Sequence, residues 1–225
     1  FAEVKGYRRS EESESGVGDM AILVDYSPFS VRDVHSAFHT SIFAGLKMPT
    51  GDTGSLEDQI VIEDESLETK HHQAAGIPGL QGRVLTLGTG SWDTFYGLGA
   101  LARWDRLMLV ATGEYTIRTE GDFDYRFAND VLWSAGPSFF LLVDDDFTLA
   151  VAAELSGEHK GKDVHQGEKV KGSAVSTVYA GPGVIFTAFE SWSGQFALQL
   201  PVQSDSPDSI VVPDYRLRAV VDYRF

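Results

Sequence analysis

Several segments of this chain alternate strictly between apolar and polar side chains, and no other feature constrains the fold as strongly. The last segment shows it best: one face carries Tyr215, Leu217, Ala219, Val221, Tyr223 and Phe225, and the other carries Arg216, Arg218, Val220, Asp222 and Arg224. Successive side chains of a β-strand point to opposite faces. The pattern therefore predicts a strand with one face in an apolar environment and the other in water.

Ten segments are predicted to be strands on this basis. They are residues 2–8, 18–26, 37–48, 91–104, 107–118, 131–143, 147–156, 174–189, 195–203 and 215–225. Many approach the 9–11 residues that a tilted strand needs to cross a bilayer, whereas soluble strands average five or six. The stretch 131–143, the longest of nearly apolar character, is too short for a membrane helix. A soluble β-sandwich would also alternate, but strand length favours a membrane barrel, with a bulge or bend predicted at Pro182.

The connections alternate between short and long. Residues 104–106, 144–146 and 190–194 are tight turns, whereas 9–17, 49–86, 119–129, 157–172 and 204–210 are long and polar. Bacterial barrels have short periplasmic turns and long extracellular loops. Only 27–36 is of medium length, for which we expect a short helix or a bulge. The prediction is an all-β fold: one domain over 1–225, an antiparallel transmembrane up-and-down β-barrel of about 10–12 strands with the long extracellular loop 49–86.

Composition narrows the environment. The formal charge of -15 and the pI near 4.7 argue against nucleic acid as a partner. The absence of cysteine excludes a disulfide framework and a thiolate metal site. The sequence begins at Phe1 without Met, so we expect that a signal peptide has been removed. Tyr96 and Trp104 share a strand face near its two ends, as an aromatic girdle requires. The expected location is the bacterial outer membrane, in contact with the lipid bilayer and lipopolysaccharide.

Two motifs carry a resemblance to a known family. They are Gly45-Leu46-Lys47-Met48-Pro49-Thr50-Gly51-Asp52 and Leu87-Gly88-Thr89-Gly90-Ser91-Trp92-Asp93. Together with Gly16-Val17-Gly18-Asp19 and the C-terminal Asp222-Tyr223-Arg224-Phe225, they resemble the outer-membrane transporters of the meta-pathway of phenol degradation. The resemblance implies further strands ahead of residue 16, some of which lie upstream of this chain. It also implies uptake of hydrophobic or aromatic compounds. The residues that carry it are Lys47, Pro49, Gly51, Asp52, Gly88, Gly90, Ser91 and Trp92.

The C-terminal residue has a separate role. A terminal Phe225 with the aromatic Tyr223 two positions earlier matches the pattern that the outer-membrane assembly machinery recognises. We therefore expect that machinery as a partner. The two motifs, in turn, are expected to act as hinges of the loop 49–86, because their glycines permit turns and close backbone approach. The apolar pieces of this loop, at 60–62 and 77–80, either fold inward as a constriction or stay in a solvated loop.

Charged residues on the predicted inward face are the candidate functional residues. The residues expected to line the lumen are Arg103, Glu114, Arg118, Glu154, Arg216, Arg218, Asp222 and Arg224. A barrel of 10–12 strands lies between the filled interior of eight strands and the open channel of sixteen. The leading hypothesis is a narrow channel for passive diffusion of small solutes, with hydrophobic or aromatic compounds as one class among them. The alternative is a structural, partner-binding or metal-binding outer-membrane barrel with a plugged lumen.

Catalytic and metal chemistry is weakly indicated. The sequence shows no motif in which a nucleophile or a pair of carboxylates is accompanied by a histidine at catalytic spacing. An enzyme is therefore the third hypothesis, and neither catalytic activity nor a cofactor is expected. His71, His72, His159 and His165 lie near carboxylates in the predicted outer loops. Imidazole and carboxylate suit zinc, copper or nickel. Their irregular spacing favours solvated loop histidines over a metal site.

Overall fold

The computed structural model describes residues 16–54, 56, 87–189, 191–205 and 214–224. The strands are β1 (Met20–Arg32), β2 (Ser36–Met48), β3 (Asp93–Trp104), β4 (Leu107–Ile117), β5 (Tyr125–Arg126), β6 (Asp130–Val143), β7 (Phe147–Lys160), β8 (Val164–His165), β9 (Glu168–Lys169), β10 (Val175–Ala188), β11 (Trp192–Asp205) and β12 (Arg216–Tyr223). A 3-10 turn, Asp122–Asp124, precedes β5. In the part of the chain that the structure describes, no helix is long and apolar enough to cross a membrane.

Nine long strands form one antiparallel sheet in the order β1-β2-β3-β4-β6-β7-β10-β11-β12. Each strand pairs with its neighbour along the chain, so the topology is up-and-down. The short strands form a second sheet, β5-β8-β9. The predicted fold class is confirmed, and the nine long strands correspond to nine of the ten predicted ones. The predicted first strand, 2–8, and the terminal Phe225 lie outside the described residues.

Alternation along the strands separates two faces of the large sheet. On β4, Glu114 and Thr116 are less exposed than Tyr115 and Ile117, which point the other way. Register pairs carry each face from strand to strand; for example, Thr112 donates to or accepts from Ser134 at 2.8 Å on the polar face. The opposite face exposes large apolar side chains along every long strand. A continuous apolar surface of this kind is unfavourable in water and fits a lipid-facing wall.

Aromatic side chains lie at both ends of this apolar face. Tyr96 and Tyr115 are register partners near the long-loop end of β3 and β4. Trp104 lies at the other end of β3, and at that same end of the sheet, on β11 and β12, Trp192 and Tyr223 have ring centroids 4.8 Å apart. Tyr96 and Trp104 are separated by about 26 Å along the strand, or about 20 Å with the usual tilt, close to the ~25 Å apolar band of outer-membrane barrels.

The boundaries of several predicted elements were wrong. The medium connection 27–36 does not exist, because β1 continues to Arg32 and leaves only residues 33–35 as a turn. The expected bulge is present within β1, as a register shift between Tyr26 and Phe29. The loop predicted at 157–172 begins later, because β7 continues to Lys160, and β8 and β9 form a hairpin inside it. At Pro182 the register does not shift; the shift lies between Val178 and Tyr179.

Candidate functional site

The two family motifs meet at the long-loop end of β2 and β3, where they bring backbone segments into direct contact. The N–H of Gly88 donates to the carbonyl of Asp52 at 2.8 Å. A Cβ on Gly51 would lie 2.4 Å from the carbonyl oxygen of Leu87, and one on Gly88 would lie 2.4 Å from that of Gly51. Only glycine permits such an approach. The expected close backbone approach at these glycines is therefore confirmed, and β2 ends at Met48, immediately before Pro49.

Asp19 fastens these segments to the start of β1. Its carboxylate accepts hydrogen bonds from Lys47 Nζ at 2.7 Å, from the N–H of Gly51 at 3.0 Å and from the N–H of Thr89 at 3.1 Å. Burial alone would raise the pKa of Asp19, but the hydrogen bond from Lys47 and those from the backbone of Gly51 and Thr89 outweigh it, so the pKa lies below its ordinary value. We call Asp19, with its partners Lys47, Gly51 and Thr89, the clip; the Asp19 carboxylate is charged at neutral pH.

The lowered pKa of Asp19 predicts how the clip responds to acid. A carboxyl whose pKa is lower when folded stabilises the folded state above its unfolded pKa, about 3.9, and this contribution disappears as the pH falls through the folded pKa. We expect the N–H groups of Gly51 and Thr89 to exchange more slowly in the native protein than in Asp19→Asn at pH 5–7. This difference should shrink only below about pH 4. Amide hydrogen exchange measures it, and equal exchange in both proteins at pH 6 would contradict the clip.

Charged side chains of alternating sign continue from the clip along the long-loop end of the sheet, which we call the rim. Asp93 binds Lys47 at 3.1 Å and Arg118 at 3.1 Å, and Arg118 also binds Asp130 at 2.8 Å. Asp93 further accepts the N–H of Thr119 at 3.1 Å. Both carboxylates are almost fully buried. Four strands, β2, β3, β4 and β6, are therefore linked at their long-loop ends on the polar face.

The remaining residues of the two motifs lie beside this row of charged side chains. Ser91 is buried, and its hydroxyl lies 2.8 Å from that of Thr89, which also accepts a hydrogen bond from Lys47. Gly90 has a φ of +67°, a conformation that favours glycine. The indole of Trp92 is half exposed, and its carbonyl accepts the Thr119 hydroxyl at 2.7 Å. The paired motifs thus build the rim of the sheet rather than a solute site of their own.

Two further loops cover the rim beside β6 and β7. Lys160 lies opposite Asp130 in register and is completely buried, with Nζ 2.6 Å from Asp163. Asp163 also accepts hydrogen bonds from the Tyr125 hydroxyl at 2.9 Å and the Ala128 N–H at 2.7 Å. We call Lys160, Asp163, Tyr125 and Ala128 the rim lock.

An apolar cluster packs against the rim lock. It consists of Leu56, Tyr125 and Phe127, with Val170 against them, and Lys160 Nζ lies 5.6 Å from the centre of the Phe127 ring. Lys160 belongs to the polar face of β7, so these loops fold over that face. Of the loop 49–86, Leu56 joins the cluster, while the apolar pieces 60–62 and 77–80 lie outside the described residues.

Deeper along the polar face, arginines of β12 reach across two strands to β7. Arg218 Nη1 donates to Glu154 at 2.9 Å, and Arg216 Nη2 lies 3.5 Å from Glu158. In a flat sheet these strands would be about 14 Å apart. The side chains therefore lie along the wall, above Gly181 and Ala197, which are register partners of Glu154 and Arg218. Small side chains at these positions leave the room that the ion pairs occupy.

The polar face is not charged everywhere. Phe43 on β2 and Phe95 on β3 are register partners of Gly97 and Gly45, and each ring covers the opposite glycine. Leu23 on β1 is paired with Gly45 and joins this region. The inward face thus carries an apolar patch around Leu23, Phe43 and Phe95, whereas the ion pairs of Arg216 and Arg218 lie on the part formed by β7–β12.

The predicted lumen residues all lie on strands or strand ends with the expected parity. Arg118, Glu154, Arg216 and Arg218 form ion pairs. Arg103, Glu114, Asp222 and Arg224 have no ion pair within the described ranges, although the backbone N–H of Arg224 donates to Ser191. The sequence analysis missed six acidic or basic residues of the same face, which are Asp19, Asp93, Asp130, Glu158, Lys160 and Asp163. Strand parity would have found Asp19 and Asp93, which lie in the predicted strands 18–26 and 91–104, and Asp130, one residue before the predicted strand 131–143. Glu158, Lys160 and Asp163 lay in the predicted loop 157–172.

The histidines do not come together in the part that the structure covers. His159 is exposed on β7 and His165 lies beside the ring of Tyr125, with centroids 5.9 Å apart. His71 and His72 lie outside the described residues. Among residues 16–54, 56, 87–189, 191–205 and 214–224, no group of three or more histidine, aspartate or glutamate side chains is placed to hold a metal ion.

Comparison with solved structures identifies the fold. The chain is similar to an outer-membrane channel from Pseudomonas putida F1, with a TM-score of 0.61 and 13% sequence identity. The match covers 93% of this chain and 67% of the channel. At this identity the likeness shows a shared barrel fold. No family model matches the chain, and no curated protein matches it.

Proposed function

We propose that this chain forms the wall of an outer-membrane channel through which small solutes diffuse passively. One observation carries the proposal. The nine-stranded sheet has an apolar face bordered by aromatic girdles, and its other face carries ion pairs and hydrogen-bonded polar groups. Such a sheet suits lipid on one side and a water-filled lumen on the other. The similarity to a channel of known structure supports the same function.

The proposal includes a cellular location and partners for the chain. We place the chain in the bacterial outer membrane, with the bilayer and lipopolysaccharide around its apolar face and the assembly machinery acting on Phe225. The long-loop end, which carries the rim lock, is the extracellular end because bacterial barrels have their long loops outside. Leu23, Phe43 and Phe95 form an apolar patch on the inward face. This patch supports the proposal that the transported solutes include hydrophobic or aromatic compounds.

Single-channel recording in planar bilayers tests the proposal. We expect purified, refolded protein to give discrete conductance steps and to admit small solutes into proteoliposomes. A variant lacking residues 57–86 controls for closure by the long loop, since its conductance should be equal or larger. Absence of current and of solute flux in both proteins would contradict the channel.

A plugged structural barrel is the second candidate, and the buried rim lock favours it. Lys160 and Asp163 are fully buried beneath loops that fold over the polar face, so the lumen is narrowed at that end. This candidate predicts no current from the native protein or from the variant lacking 57–86, together with current when Asp163 is replaced by alanine. Current from the native protein would exclude it.

A further inference from the structure

We propose that Arg216 and Arg218 form a binding site for small carboxylates on the wall of the lumen. The proposal rests on the channel function, since it names a solute class for the same lumen. Arg216 and Arg218 are two residues apart on β12, and their register partners Gln199 and Ala197 both belong to the polar face. Residues at this spacing point to the same side, about 7 Å apart.

Exposure differs between the two partners of the ion pairs formed by Arg216 and Arg218. The Arg218 side chain is 52% exposed and that of Glu154 only 11%; for Arg216 and Glu158 the values are 41% and 19%. Lys47 and Arg118 are likewise more exposed than the carboxylates that they bind. At these pairs the surface offered to a solute is therefore cationic, although the whole chain carries a formal charge of -15.

The edge position of β12 does not explain the asymmetry within the pairs. The guanidinium of Arg218 reaches Glu154 on β7, so it lies over the interior of the sheet and not beside the edge. Lys47 and Arg118, which show the same asymmetry, belong to the interior strands β2 and β4 or their ends. The asymmetry thus arises from how the pairs are oriented, with carboxylates against the wall and cations toward the lumen.

Both guanidinium groups are held in place with donors to spare. Arg216 lies 3.8 Å over the ring of Tyr179, a cation–π contact that fixes its plane. Arg218 binds Glu154 through Nη1, and a guanidinium has five N–H donors. A planar fork of this kind binds carboxylates with two parallel hydrogen bonds. Two such forks on residues whose Cα atoms lie about 7 Å apart suit a short dicarboxylate that contacts both.

Neighbouring side chains favour a polar ligand at this place. Gln195 Nε2 lies 3.5 Å from Glu154, and Gln199 Nε2 donates to Ser156 at 3.1 Å. Gly181 and Ala197 lie beneath the Arg218–Glu154 pair. A ligand would therefore contact the guanidinium groups from the lumen side.

Isothermal titration of refolded protein in a nonionic detergent with succinate tests the site without relying on conductance. We expect saturable binding of succinate and none of succinamide, which has the same shape without charge. Arg218→Gln should weaken binding at least about tenfold, because a hydrogen bond to a charged group is lost. Glu154→Gln should tighten it about threefold, because the competing carboxylate is removed. Lys169→Gln, an exposed change on β9, is the matched control and should bind as the native protein does.

Several results would overturn the site. No saturable succinate binding by the native protein, equal binding of succinamide, equal binding by Arg218→Gln, or weaker binding by Glu154→Gln would each do so. Glu154→Gln keeps the test valid if Arg218→Gln does not refold. Conductance without succinate binding would remove this site and leave the channel intact, whereas binding without conductance would do the reverse.

Discussion

Replacing Gly181 by alanine is expected to lower the free energy of unfolding by at least about 3 kcal/mol, through overpacking against backbone. A Cβ at this position would lie 1.7 Å from the carbonyl oxygen of Leu198. The obstacle is backbone of the adjacent strand, so β10 and β11 must move apart. Urea titration of refolded protein, followed by tryptophan fluorescence, measures the change.

Gly113→Ala is the matched control, since Gly113 lies in the interior of β4 and an added Cβ would meet nothing within 4 Å in the described structure. Removing a glycine there should stabilise the protein by about 0.5 kcal/mol, because the unfolded chain loses freedom. If the two variants unfold at the same urea concentration, the close approach of β11 to Gly181 is wrong.

Replacing Asp93 by alanine is expected to cost about 3 kcal/mol, the order observed when one partner of a buried charge pair is removed. Asp93 is the carboxylate that joins Lys47 to Arg118, and it also accepts the Thr119 N–H. With its loss, the row of charges around the rim divides into two separate pairs. We expect proteolysis of the segments 49–54 and 87–92 to accelerate together.

Asp93→Asn separates charge from shape. The amide oxygen can still accept the Thr119 N–H, so this variant should lose the charge attraction and retain the local backbone. Its stability should fall between those of the native protein and Asp93→Ala. Native stability in both variants, measured by the same urea titration, would show that the rim does not depend on Asp93.

The fold was predictable because strand periodicity is a local property. Each predicted segment has one polar and one apolar face, as in 107–118, and this alternation predicts both the strand and the direction of its side chains. In the structure the strand register places four predicted lumen residues on the same face, namely Arg118, Glu154, Arg216 and Arg218. Strand ends were less predictable. Beyond Ser156 the strand continues through Glu158 and Lys160, whose polar character resembles a loop.

The rim lock was not predictable from local pattern. Lys160 and Asp163 read as solvated loop residues, and their burial depends on Tyr125 and Ala128 from a different loop. Similarly, Glu154 and Arg218 were each assigned to the lumen, but their pairing across β10 and β11 depends on the small residues Gly181 and Ala197 between them. Such contacts arise from three-dimensional packing and leave no period in the sequence.

Cysteine labelling tests the central claim, that one face of the sheet meets lipid and the other a water-filled lumen. The chain contains no cysteine, so single substitutions at Ala111, Thr112, Gly113 and Glu114 can each be labelled alone in proteoliposomes with a charged, membrane-impermeant thiol reagent. We predict modification of Thr112→Cys and Glu114→Cys, whose positions share the polar face, and protection of Ala111→Cys and Gly113→Cys. Equal labelling of all four, or the reverse pattern, would contradict the account.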